Sequence, residues 1–159
     1  MRDSMALFER AARMAGRLTA APSTPSQGLH PFDERNVHSG LPSDVRRLFD
    51  NGHYAQATFE AYKYLETETR RHSGLDQIGF KLMMRAFAPE HPRIRLTGLS
   101  NTCEKDEQNG FQFIFAGSVL AIRDPRGHAV GMVDSPDKCL DHLVLASLLL
   151  RRLEEAGYK

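Results

Sequence analysis

The chain has no tryptophan and only two cysteines, Cys103 and Cys139, in 159 residues. Two distant cysteines without a Cys-x-x-Cys argue against a disulfide scaffold and against a cysteine-rich zinc site. Charge of one sign is not in excess either: 21 Lys+Arg stand against 20 Asp+Glu. Coating of nucleic acid, or adhesion to a membrane, through bulk charge alone is therefore not expected. The apolar stretch near the C-terminus is interrupted and too short to span a bilayer. Gly-x-x-x-x-Gly-Lys-Ser/Thr, Gly-x-Gly-x-x-Gly, Gly-x-Ser-x-Gly and His-Glu-x-x-His are all missing, which removes the common phosphate cradles, the nucleophile elbow and the zincin helix. Of the seven histidines, no two share a predicted helix at metal-ligand spacing. No metal or other cofactor is expected, and the chain reads as a reduced, cytoplasmic protein.

What is present is helical periodicity. Residues 1–18 form an amphipathic stripe of Leu7, Phe8, Ala11, Ala12, Met14, Ala15 and Leu18, predicting an N-terminal arm. Asp3 and Glu9 are wrong for a mitochondrial presequence, and no continuous apolar core marks a secretory signal. Residues 19–40 are rich in Pro, Gly, Ser and Thr and read as a linker. The helical domain is expected over 41–159. Its helices are a short one ending at Asn51-Gly52, a long one over 53–72, and a third over 76–87 capped by Asp76. A fourth runs over 107–123 and stops at Asp124-Pro125, and the last is capped by Ser135 with Pro136 at its first position. The last helix is apolar around most of its circumference, which predicts burial on more than one side, in the core or at a subunit contact. The fold class is all-α, a helical bundle with short connections and a helical arm.

One junction carries candidate chemistry. In AIRDPRGHAVG, residues 121–131, Arg123 and His128 are separated by four residues, with Asp124 between them beside a proline. A guanidinium fork matches phosphate oxygens and neutralises charge developing on them. An imidazole takes or gives a proton near neutrality. A structural alternative stands beside this: an arginine in a last helical turn also caps carbonyls, and a loop histidine is commonly only solvated. Arg126 and Lys63 are further candidates for substrate binding, although Lys63 and Glu60, one turn apart, also suit a surface pair. Arg70, Arg71, Lys81, Arg85, Arg93 and Arg95 form a basic cluster, which is either a solvated face or a surface for a polyanion.

Arg123-Asp124-Pro125-Arg126-Gly127-His128, between the last two helices of a four-helix unit, resembles the Arg-x4-6-His motif of the HEPN superfamily. The segments LFDNGHYAQATFEAYKYLE, RRHSGLDQIGFKLMMRAF, GFQFIFAGSVLAIRDPRGH and LASLLLRRLEEAG resemble the bacterial and phage Ymh family within it. The resemblance implies a four-helix HEPN-like domain with metal-independent endoribonuclease activity. It places Arg123 and His128 from two protomers in one composite cleft, with Asp124 as the polar position after the arginine. It also implies RNA as substrate, a homodimer, for which the last helix offers the expected contact, and a toxin or antiphage-defence setting with a possible antitoxin. Asparagine is commoner where Asp124 stands, and a carboxylate there repels phosphate unless it pairs with Arg126 or His128. Where nucleotidylated relatives carry a tyrosine, this chain has Val130. Two other functions remain open: a non-catalytic RNA-binding or protein-interaction module, and a DNA-binding regulator, for which no recognition helix stands out.

Overall fold

Residues with special backbone or capping chemistry set the helix ends in this chain. The computed structural model describes residues 28–129 and 131–159. Contacts divide the chain after His30, and Pro31–Lys159 forms one compact unit. Helix α1 is a single turn, Pro31–Glu34. Helix α2 (Ser43–Asp50) ends at Asn51, and Gly52 then turns the chain at φ +77°. Helix α3 (Tyr54–Ser73) ends at Gly74 in the left-handed region, whose N–H closes on the Arg70 carbonyl. Helices α4 (Gly79–Ala86), α5 (Thr102–Ser118) and α7 (Pro136–Glu155) follow, with a π-helical turn Val119–Arg123 and a short helix α6 (Asp124–His128) between α5 and α7. Every regular element among the described residues is helical. The expected Ser135 cap is present: its side chain accepts from the Lys138 N–H, with Pro136 opening α7.

Four expectations need correction. Residues 31–40 are not linker. Phe32 is buried and packs on Phe49 at 5.2 Å between ring centroids, and the His38 N–H donates to Ser147 Oγ at 2.8 Å. The polar composition there hides one anchoring aromatic. Residues 1–27 lie outside the described residues, so the predicted arm and the start of the linker do too. Helix α4 begins at Gly79 rather than Asp76, and Ile78, just before it, is 61% exposed. Gly79 itself has φ +60°, so the chain turns there before the helix opens. Helix α5 starts at Thr102, because Asn101 caps it by accepting from the Glu104 N–H at 3.0 Å.

The fourth correction concerns Asp124-Pro125, which does not end the helix. The Asp124 N–H reaches back five residues to the Val119 carbonyl, and Asp124 keeps helical angles of φ −62° and ψ −42°. The wider π turn shifts the hydrogen-bond ladder by one residue, and Pro125 falls in the first turn of α6, where a missing N–H costs nothing.

Helix α3 is the central element and packs against α2, α4, α6, α7 and the π turn. Its Ala57, Ala61, Tyr62 and Leu65 are fully buried. Helix α7 buries Cys139, Leu140, Leu143, Ala146, Leu149, Leu150 and Leu153 within the same chain, leaving Leu148 as its exposed large apolar residue. Its apolar circumference is therefore absorbed mainly by the core of its own chain, and the subunit contact expected on it loses most of its surface.

Periodicity also says nothing of Gln108, a fully buried side chain that organises the connection between α4 and α5. Its Nε2 donates to the carbonyls of Phe87 (2.9 Å) and Ile94 (3.0 Å), and its Oε1 accepts from the Leu96 N–H (2.8 Å). Three backbone groups of a non-repetitive segment are satisfied by one amide, and Ile94 and Leu96 can enter the core on that segment. Gln108→Leu keeps the volume and removes all three bonds. Since each buried group left unpaired costs about 1–3 kcal/mol, the variant is expected to lose at least about 3 kcal/mol of stability in urea unfolding.

Candidate functional site

The π turn and α6 continue α5, so Arg123 and His128 stand on one helical path rather than on a helix and a loop. Five residues along a helix correspond to a rotation of about 140° and a rise of about 7.5 Å. Within one chain the two side chains therefore leave the helix in different directions.

Arg123 is largely enclosed. Its guanidinium lies 2.9 Å from Asp124 Oδ1 and 3.5 Å from Glu66 Oε2, and 5.6 Å from the centroid of the Phe59 ring. Asp124 thus pairs with Arg123 itself, and neither Arg126 nor His128 neutralises it. Glu66, a buried acid on α3, was invisible in the sequence as a site residue because it sits among other polar residues of the long helix. Arg123 Nε and Glu66 Oε2 are both buried without a hydrogen-bond partner. His128 differs: it is exposed at the end of α6 and its side chain makes no hydrogen bond or ion pair with the described residues.

Arg126 is not available to a substrate. Its side chain is 3% exposed, and its Nε donates to Asp134 Oδ2 at 2.7 Å while a terminal nitrogen lies 2.6 Å from the same oxygen. The other terminal nitrogen donates to the Ile122 carbonyl at 2.6 Å. The Asp134 carboxylate is fully buried, with Lys138 Nζ 3.0 Å from its second oxygen. Burial would raise the Asp134 carboxyl, but hydrogen bonds and charge from Lys138 and Arg126 outweigh it and hold the group below its ordinary value. His142 Nδ1 lies 3.2 Å from Arg126 and faces it as an acceptor. Burial first, and the Arg126 charge second, push His142 below its ordinary value. The expected substrate contact at Arg126 is instead a structural clamp joining α6, the following loop and α7. Lys63, 57% exposed, lies 3.6 Å from Glu60 as the pair its spacing suggested.

A cleft of about 350 Å³ opens between α3 and the segment after α6. Gln56, Phe59 and Glu60 line one side, and Gly127, Ala129 and Met132 line the other. A Cβ on Gly127 would stand 3.0 Å from the Phe59 ring, so this glycine permits the close approach of α6 to α3. The basic cluster does not border this cleft at α3: Arg70 and Arg71 are about 17 Å along the helix from Phe59, and Arg71 pairs with Glu68. No group of three or more His, Cys, Asp or Glu suited to a metal occurs among the described residues. No described helix is long and apolar enough to cross a membrane.

The model of a protein family of unknown function (Hypoth_ymh) matches residues 35–153. No curated protein and no solved structure matches the chain.

The clamp supports a stability test. Arg126→Met leaves the Asp134 carboxylate buried without its main partner, and removal of one member of such a pair costs about 3–5 kcal/mol. Asp134 is held below its unfolded value, so the stability it contributes is present above the unfolded carboxylate range and is lost as pH falls through the folded value. His142 acts in the same direction, because the unfolded chain takes up its proton first on acidification. Urea midpoints from pH 7 down to pH 3 should fall steeply in the native protein and less steeply in Arg126→Met.

Proposed function

The chain belongs to the Hypoth_ymh family, and from that premise we propose that it is a metal-independent endoribonuclease with a four-helix, HEPN-like domain, acting as a homodimer. The observation that carries this is the exposed imidazole of His128 on the same helical path as Arg123, with the arginine delivered by a π turn. Such turns interrupt the regular ladder and are frequent at functional sites. In the proposed reaction His128 takes the proton from a ribose 2′-hydroxyl, whose oxygen attacks the adjacent phosphorus. The 5′-oxygen leaves with a proton from the partner's protonated imidazole (imidazolium), and a 2′,3′-cyclic phosphate remains. Arg123 neutralises charge on the phosphoryl oxygens, and Glu66, Asp124 and Phe59 hold its guanidinium in place.

The proposed dimer contact is the outer face of α5 and the π turn. Phe113 (56%), Ile114 (43%) and Leu120 (53%) are exposed there, and no charged residue occurs between Glu107 and Arg123. Gly110 and Gly117 lie on the same face with open space where a Cβ would stand. Interior helix glycines cost roughly 1 kcal/mol each. Packing within the chain gives no reason for them, whereas close approach of a second copy of the helix does. The face runs directly into Arg123, so a two-fold axis across it would bring the Arg123 and His128 pairs of two subunits together. A toxin-type or antiphage-defence role in the cytoplasm, with an antitoxin or other defence partner, is the setting we propose.

One observation favours a second reading. Glu66 and Asp124 neutralise Arg123, which suits a non-catalytic RNA-binding or protein-interaction module in which the arginine is structural.

Incubation of the purified protein with single-stranded RNA in EDTA separates the two readings. Cleavage is expected, with losses of about 100-fold or more in His128→Ala and Arg123→Ala. Cleavage that survives both substitutions would remove these residues from the reaction, and no cleavage at all would favour the module. Analytical ultracentrifugation tests the contact: the native protein should sediment as a dimer and Phe113→Glu/Leu120→Glu as a folded monomer. A native monomer would rule out the composite site.

A further inference from the structure

We infer that the cleft between α3 and the segment following α6 is a base-reading subsite for guanine, beside His128. The inference rests on the ribonuclease reading for its place in the reaction. Its support lies in the shape and chemistry of the cleft. Gly127 and Ala129, the two chain neighbours of His128, both line it, while His128 itself does not, so the cleft opens beside that residue. A volume of about 350 Å³ falls within the range of small-molecule sites. Phe59 and Met132 supply apolar walls, and the residues flanking His128 contribute little beyond backbone. Planar, uncharged rings suit such a space.

The polar groups choose among the bases. Arg126 lines the cleft, but Asp134, the Ile122 carbonyl and His142 engage its guanidinium, so it does not attract an anion. The carboxylate at the rim belongs to Glu60, one turn after Gln56 on the same face of α3. This charge disfavours a phosphate inside the cleft and favours a donor-rich edge. A carboxylate accepts only. Guanine alone among the four bases places two donors side by side on its Watson–Crick edge, the ring N1–H and the exocyclic amino group, and both oxygens of Glu60 can be met at once. Lys63, next along the helix and outside the cleft lining, pairs with Glu60 Oε2 at 3.6 Å.

The test is an NMR titration of the full-length protein, in EDTA, with guanosine, adenosine, cytidine and uridine 5′-monophosphates, following the backbone amides of Gly127, Ala129 and Gly131. Guanosine monophosphate is expected to bind roughly tenfold more tightly than the others, the discrimination typical of one bidentate contact. Glu60→Gln should melt at the native temperature and lose that preference. Equal shifts for all four nucleotides, no shifts, or a preference retained in Glu60→Gln would overturn the inference. Mapping of cleavage sites on mixed-sequence RNA separates this subsite from the nuclease reading. Guanosine monophosphate binding without RNA cleavage removes the nuclease and keeps the subsite. Cleavage without selective binding does the reverse.

Discussion

The buried pair of Arg126 and Asp134 is the constraint on which the geometry after α5 depends. A fully buried carboxylate is tolerable only when its charge is compensated, and here Arg126 hydrogen-bonds Oδ2 from α6 while the Lys138 ammonium pairs with Oδ1 from α7. The pair draws α6 against the start of α7, and so determines where the residues on either side of His128 run. Gly127 then allows α6 to lie close on Phe59 of α3, and the space left between them is the cleft. Without the pair, α6 would be a five-residue helix ending in an unrestrained loop, too short to hold itself.

Arg123 shows a different use of charge. Its two carboxylate neighbours restrict its motion and cancel its field, a combination that positions a group at the expense of its attraction for phosphate. A donor held in place before a reaction need not reorganise during it, and preorganised groups of this kind contribute most in sites closed to water. The same enclosure also serves a purely structural arginine. In the proposed dimer, chemistry at Arg123 depends on how far a second subunit, meeting the apolar outer face of α5, closes the site around it.

Much of the fold was legible in the sequence because its signals are local. The Asn51-Gly52 and Gly74 stops, the Ser135-Pro136 start of α7 and the apolar periodicity of α3 all stand within a turn of the feature they specify. Signals of opposite local meaning were misleading. Pro125 normally breaks a helix, and only the π turn before it lets the helix continue. Phe32 is a lone aromatic in a polar stretch, and its burial needs Phe49 from the next helix. Gln108 and Glu66 look like ordinary polar helix residues, since their partners are distant in the chain.

For the candidate site the division is similar. The sequence by itself determined that Arg123, Asp124 and His128 lie within six residues, that helices surround them, and that the domain carries no charge excess to bind polyanions unaided. Only the tertiary structure decided which of the neighbouring side chains are free. Arg126 was a basic residue beside an imidazole until Asp134 and His142 enclosed it, whereas His128 stayed exposed. Spacing along a chain fixes separation and direction on one helix, but availability depends on which buried charges the other helices bring, and that is set by packing between residues far apart in sequence.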